Sequence, residues 1–299
     1  MEGQGSVAIV RRLGSLVPAA VRSRLSPRLR ARARALLGIE PWPDLAVRHP
    51  LFRESRYREL RRAARPFDQS RSHKPVLERG HQASYLVATW LRAAGVKTAF
   101  HVGYASGRYL FYLARAGIAC GGTDLPESET AWVDLPAHAL DEATRRRLLR
   151  IDVLDLVAAD VRQAWGDAPI DVWFTEATFE TMLPWREGPG ASVDKYARIT
   201  AEGRRELLGQ RLPARLAALS GCFRNLLLIE PEPAAGGAGL VFAACAERLG
   251  AFPYSVWRFR PPFDQLFRLS PSSPVRQTVY AYAKDAAVTD ALSRWAEPA

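Results

Sequence analysis

The sequence predicts an α/β fold, a doubly wound and mostly parallel sheet with helices on both faces, and three observations predict it. Apolar runs of strand length alternate with helical runs between His81 and Ala283, the pattern of strands crossing over through helices. The run Thr98–Val102 is apolar and fits a strand buried on both faces. A turn of small residues, Gly103-Tyr-Ala-Ser-Gly107, joins that run to Arg108–Ala116, where Leu110, Tyr112 and Leu113 have the spacing of a helix packed on a sheet. At 299 residues and 48% hydrophobic, the chain has enough apolar material for one large core with appendages.

The elements follow in order. Residues 1–66 carry 15 arginines, no lysine and 5 acids, and so hold nearly all of the net charge of +11. Within this arm Ile9, Val10, Leu13, Leu16, Val17, Ala20 and Val21 recur at helical spacing, interrupted by Pro18 and Pro27. Two readings stay open for it: a basic amphipathic segment lying on an anionic membrane surface or a partner, and a self-packing arm whose arginines are solvated. Charge confined to an arm argues against a domain shaped as a whole to lie along nucleic acid. Pro41, Pro43 and Pro50 mark a linker, Leu51–Ala64 is charged and helical, and the main domain is expected over 67–299.

His81–Ala94 sets Tyr85, Leu86, Ala88, Trp90 and Leu91 on one apolar face and stops at Gly95, directly before the first strand. Ile118–Thr123 is the second strand. Further strands are expected at Leu149–Ile151, Val172–Thr175, Asn225–Ile229, Tyr254–Phe259 and Thr278–Ala283, with helices at Leu140–Arg147, Leu156–Trp165, Ala201–Ser220 and Leu240–Leu249. Only the Pro-rich Pro261–Pro274 separates the last two strands, so they are expected to pair antiparallel at one side of the sheet.

Several chemistries are excluded early. Cys120, Cys222 and Cys245 are odd in number and set among apolar neighbours, which suits core thiols in a reducing, cytoplasmic setting better than disulfides. No His or Cys pair has zinc spacing, and there is neither a G-x-x-x-x-G-K-[ST] phosphate loop nor a G-x-S-x-G elbow. No run approaches the roughly 18 apolar residues a membrane span needs.

The chemistry concentrates at Lys97–Pro126. The turn sits at a helix N-terminus, where free N–H groups and the positive end of the helix dipole favour an anionic group. Asp124 ends the second strand, where its carboxylate can accept hydrogen bonds from two ribose hydroxyls. A dinucleotide site asks for G-x-G-x-x-G, but Arg108 stands in the third glycine's place.

The spacing Gly103, Ala105 and Gly107 resembles the G-x-G-x-G turn of class I S-adenosylmethionine-dependent methyltransferases. The resemblance runs over roughly 80–285 and adds GGTDLP, RIDVLDL, IDVWFTEATFETML, LLLIEPEP and the closing pair FPYSVWRFR and TVYAYAKD. It implies a Rossmann-like, seven-stranded sheet with an antiparallel last strand, a basic N-terminal extension, and S-adenosyl-L-methionine as cofactor. Its cofactor residues would be His101, Gly103, Ala105, Ser106, Gly107, Asp124, Leu125, Asp152, Val153 and Glu176, with Asp124 on the ribose and Asp152 and the Val153 N–H on the adenine. Two positions depart from the family: His101 where it usually has Asp or Glu, and Ala105 in place of the middle glycine.

Methyl transfer is an in-line displacement that asks mainly for alignment in a dry site, with no metal and no covalent nucleophile. An oxygen acceptor adds a base, for which Glu176, Glu180, His138 and His81 are the candidates. The segment Trp185–Tyr196 suits an acceptor-facing lid or an ordinary surface loop, and Trp132, Trp173, Trp185, Trp257 and Phe263 suit either a pocket wall or the core. The favoured acceptor is a small molecule or a sugar hydroxyl. An RNA acceptor gripped by the arm and a scaffold that has lost the cofactor are the alternatives. Oligomeric state is not written in these residues.

Overall fold

Eight strands form one sheet in the order β3-β2-β1-β4-β5-β7-β6-β8. The computed structural model describes residues 46–69, 78–125, 140–176, 178, 200–231, 242, 245–267 and 277–299. The strands are β1 (Thr98–Val102), β2 (Ala119–Thr123), β3 (Leu148–Leu149), β4 (Ile170–Glu176), β5 (Phe223–Pro231), β6 (Tyr254–Phe259), β7 (Gln277–Ala283) and β8 (Ala296–Pro298). Strands β1 to β5 pair in parallel, β7 runs antiparallel between β5 and β6, and β8 pairs antiparallel with the outer side of β6. The seven expected strands are present in the expected directions, and β8 is an addition to them.

The helices are α1 (Ser55–Ala63), α2 (Glu78–Ala93), α3 (Arg108–Arg115), α4 (Glu142–Arg146), α5 (Ala158–Trp165), α6 (Ala201–Glu206), α7 (Leu212–Ala218) and α8 (Ala286–Leu292). A π-helical turn, Leu207–Arg211, links α6 to α7 just before Pro213. Two hydrophobic clusters cover the two faces of the sheet, as alternate side chains of each strand dictate. One joins Ala99, Val172, Phe174, Leu227 and Val279 to α1, α2, α3 and α8. The other joins Phe100, Val102, Trp173, Leu226 and Tyr280 to α5 and α7.

Local chemistry explains the element ends. Helix α2 begins three residues before the expected His81 because Glu78 favours the first turn and is held from α1, accepting from the Tyr57 hydroxyl and from Arg61 Nε at 2.6 Å. The stretch before α1 is anchored by Gln82, whose amide oxygen accepts from Val47 N at 2.7 Å while its Nε2 donates to Val47 O at 3.2 Å. Strand β3 is shorter than expected: Asp152 turns the chain back, its carbonyl accepting from Asp155 N and Leu156 N, both at 2.9 Å. Between β1 and β2 the backbones approach so closely that a Cβ at Gly122 would overlap the His101 carbonyl.

Candidate cofactor site at the C-terminal edge of the sheet

The parallel strands all deliver their last residues to one edge, and there the Gly103–Gly107 turn lies between Asp124 and Glu176 of the flanking strand ends. Gly103 N donates to Thr123 O at 2.8 Å, extending the β1–β2 ladder by one bond. Gly107 N then closes the turn on Tyr104 O at 2.8 Å, and Gly107 O accepts the first helical bond of α3 from Phe111 N at 3.0 Å. Positive φ recurs at alternate positions, 76° at Gly103, 43° at Ala105 and 73° at Gly107. Glycine adopts such angles freely, whereas the alanine bears a steric cost of roughly 1 kcal/mol. That cost is offset locally: Ala105 N donates to Asp124 Oδ2 at 2.6 Å.

Asp124 therefore both shapes the turn and faces its mouth. Its other oxygen accepts from Leu125 N at 2.7 Å. Burial raises its pKa and the nearby Asp152 charge raises it further, against the lowering effect of the two backbone N–H bonds. A carboxylate in that condition gains from additional donors such as ribose hydroxyls. Asp152 is 1% exposed, and its Oδ1 accepts from Leu154 N at 3.0 Å. Val153 beside it is buried. The ends of β2 and β3 are stitched together by Asp124 N to Leu149 O at 3.2 Å and by the Thr123 hydroxyl to Ile151 O. Ser106, half-buried, lies at the N-terminal approach to α3.

Behind the turn stand Thr178 and Glu230, which the sequence reading did not single out. Thr178 Oγ1 donates to Val102 O at 2.8 Å, and its side chain fills the space a Cβ on Gly103 would take, 2.6 Å from Thr178 Cγ2. Glu230, fully buried at the end of β5, accepts from Thr175 Oγ1 at 2.7 Å and from Thr178 N at 3.1 Å. The available signal was an acid closing the apolar run LLLIE opposite two threonines three residues apart.

His101 is neutral. It is 2% exposed, stacks on Phe174 with ring centroids 4.3 Å apart at 4°, and neither ring nitrogen has a hydrogen-bond partner among the described residues. Burial pushes its pKa down to about 3, and Arg108 adds to the fall. His81 is also neutral: burial first, then Arg108 and Arg61, lower its pKa to about 3, and its Nδ1 meets the Tyr112 hydroxyl at 3.1 Å. It is a packing residue and not a base. Glu176 ends β4, half-buried, with a pKa raised by burial against the opposing effect of Arg108. His138, Glu180, Trp132, Trp185 and the segment 185–196 lie outside the described residues.

Of the remaining aromatic candidates, Trp173 and Phe263 belong to the core and Trp257 is half-buried against it. Trp173 stacks on Phe100 at 4.4 Å, Phe263 packs edge-on to Trp295 at 5.2 Å, and Trp257 Nε1 donates to Ser255 Oγ at 2.9 Å. All three cysteines are free and buried. Among the described residues no group of His, Cys, Asp and Glu could hold a metal ion, and no helix is long and apolar enough to cross a membrane.

No protein-family model matches the chain, and no curated protein sequence does. Solved structures similar to it include the methyltransferase domain of bacterial CtHen1, at 15% identity over 69% of this chain and 99% of that one, with a TM-score of 0.40. The magnesium protoporphyrin IX methyltransferase of Synechocystis PCC 6803, solved with bound SAM, is 15% identical over 82% of this chain and 99% of that one, with a TM-score of 0.41. The plantazolicin methyltransferase BpumL, solved with SAH, is 10% identical over 81% and 95%, with a TM-score of 0.39. The sheet order, with β7 reversed between β5 and β6, makes this domain a Rossmann-like, mostly parallel α/β fold.

Proposed function

We propose that the protein is an S-adenosyl-L-methionine-dependent methyltransferase acting on a small-molecule or sugar hydroxyl. The observation that carries the cofactor reading is the bond from Ala105 N to Asp124 Oδ2, which locks a turn of alternating positive φ against a strand-end carboxylate of raised pKa. Under this reading Asp124 accepts from the ribose hydroxyls, Asp152 and the Val153 N–H meet the adenine, and Gly103 and Gly107 let the backbone approach closely. When bound, the cofactor supplies an electrophilic methyl group on a sulfonium. The chain's own part is to orient that group and the acceptor and to exclude water. Glu176, raised in pKa at the mouth, is the described candidate for taking a proton from a hydroxyl acceptor.

The acceptor class follows from weaker support: residues 67–299 carry no excess of basic charge, being nearly balanced. The basic arm, with its membrane-surface or RNA-gripping role, stays part of the proposal. A scaffold without cofactor draws on two observations, the neutral His101 and the 43° φ of Ala105. Thermal unfolding with S-adenosylmethionine and S-adenosylhomocysteine decides between the two. Ligand at about 100 times its dissociation constant adds about 2.7 kcal/mol of stability, and no shift at millimolar ligand overturns the enzyme reading.

A further inference from the structure

Helix α1 has two faces, and packing explains only one of them. Tyr57, 3% exposed, sets its ring 5.0 Å from that of Tyr85 on α2, Ala64 just past the helix is fully buried, and Arg61 Nε donates to Glu78 Oε2 at 2.6 Å. These inward residues account for the docking of α1 on α2. The outward side carries arginines: Arg58 and Arg62 one turn apart, Arg53 before the helix and Arg65 after it, all exposed. At about 3.6 residues per turn Arg62 sits at the centre of this side, with Arg58 toward one flank and Arg56 toward the other. Arg56 Nη2 donates to Arg115 O at 2.8 Å, which brings the exposed Arg115 at the end of α3 beside the same surface.

None of this charge serves the helix. Arg58 and Arg62 are like charges at i,i+4, and Arg56 stands in the first turn, where a cation opposes the dipole. Among the described residues no ion pair engages Arg53, Arg58, Arg62 or Arg65, although Glu59 shares their side of the helix. Residues 46–69 hold seven arginines against three acids, so the surplus charge missing from 67–299 is concentrated here. Cations that oppose their own helix call for a counter-charge outside the protein.

The spread of the arginines selects the counter-charge. They cover about half the circumference of the helix, which suits a plane of phosphates better than a single line of them. Guanidinium forks bond phosphate oxygens in pairs. Beside them on α1 stand only Ser55, Glu59 and Ala63, so no amide or aromatic side chain is there to read or stack a base. In the sequence ahead of α1, Ile9, Val10, Leu13, Leu16 and Val17 recur at helical spacing among arginines, apolar material that a bilayer interface uses and a nucleic acid does not.

We propose that the outward side of α1 docks the protein on an anionic phospholipid surface, its arginines on headgroup phosphates. This rests on the membrane reading of the basic arm and narrows it: a helix packed on the folded domain supplies part of the contact. It is independent of the cofactor reading.

The test is cosedimentation of the full chain with phosphatidylcholine vesicles, with and without phosphatidylserine. Wild type should bind the phosphatidylserine vesicles alone. The variant Arg58→Gln/Arg62→Gln/Arg65→Gln removes three charges, each worth about fivefold near such a surface, and should bind them about tenfold or more weaker. Should it fail to fold, Arg62→Gln alone should lose about fivefold. Arg162→Gln/Arg211→Gln/Arg248→Gln removes three exposed arginines whose neighbours Val161, Leu212 and Leu249 pack on the other face of the sheet, and should bind as wild type does. Equal loss in both triple variants, or loss in neither, overturns α1 as the docking face and leaves the membrane reading of the arm standing. Loss of affinity for polyuridylate RNA in the α1 variant, with vesicle binding intact, gives the face to nucleic acid and overturns the proposal. A wild type that binds neither vesicle, or both equally, overturns the proposal, and binding to neither overturns the membrane reading with it.

Discussion

Ala105 donates its backbone N–H to Asp124 Oδ2 at 2.6 Å from a φ of 43°, so the strained residue of the turn and the acid at its mouth hold each other in place. Replacing the alanine separates strain from function. Ala105→Gly removes a steric cost of about 1 kcal/mol and adds an entropic one of similar size, leaving stability within about 0.5 kcal/mol of the parent or above it. Ala105→Val, β-branched at positive φ, loses about 1–2 kcal/mol. Urea unfolding of both variants reads the difference, and a glycine variant as unstable as the valine one contradicts the assigned backbone angle.

Gly103 and Thr178 form a second pair. Gly103→Ala sets a methyl 2.6 Å from Thr178 Cγ2 at a φ of 76°, and should cost about 2–4 kcal/mol. In a Thr178→Ala background the overlaps with Cγ2 and Oγ1 disappear, leaving the backbone cost and a tight contact of 3.2 Å with Cβ. A double-mutant cycle should therefore show a coupling of about 1 kcal/mol or more. Additive losses would mean that Thr178 does not fill the space over Gly103.

Asp124→Asn should show itself in two assays. The amide can accept from Ala105 N or from Leu125 N but not both, and its NH2 then faces the other donor, so thermal stability falls by about 1–3 kcal/mol even though a buried charge that Asp152 repels is removed. Affinity for S-adenosylhomocysteine falls by about tenfold or more, because ribose hydroxyls lose a charged acceptor. Retained affinity would remove Asp124 from the ribose.

Acid should weaken the fold through its two buried imidazoles. His81 and His101 hold pKa values near 3 against an ordinary 6.5. Between those values the unfolded chain binds protons that the folded chain does not. Their contribution is thus intact above pH 6.5 and lost progressively as pH falls toward 3. At pH 5 each ring costs on the order of 2 kcal/mol. Asp124 and Glu176, raised by burial, act in the opposite sense at lower pH. The comparison is therefore His101→Phe against wild type by urea unfolding at pH 7.5 and 5. The variant, which keeps the ring stack, should lose less stability on acidification, and equal losses would place a charged or exposed imidazole at 101.

What was legible in the sequence is what depends on short stretches of chain. The Gly103 and Gly107 positions, the strand-end acids Asp124 and Asp152 and the alternation of strands with helices are each set within a few residues, by backbone angle or apolar run. Thr178 and Glu230 were not legible, because their partnership exists only once β4 is sandwiched between β1 and β5 across two crossovers. The same adjacency hid Phe174 as the surface that makes His101 a core ring. Strand β8 has no strand signature in Ala296–Pro298 and takes its conformation from β6.

That last strand also limits growth of the sheet. Arg260 N bonds Trp295 O and Ala299 N bonds Val256 O, each at 2.9 Å, so the odd-numbered residues turn their backbone groups inward to β6. By alternation, Ala296 and Pro298 face away from it. Proline has no N–H to offer, so among the described residues the rim presents one outward amide, at Ala296, beside the carbonyls of Ala296 and Pro298. A ninth strand, from another molecule or a misfolded neighbour, could donate to those carbonyls but would find a single N–H to accept from, so this short flank is a poor template for edge-to-edge aggregation.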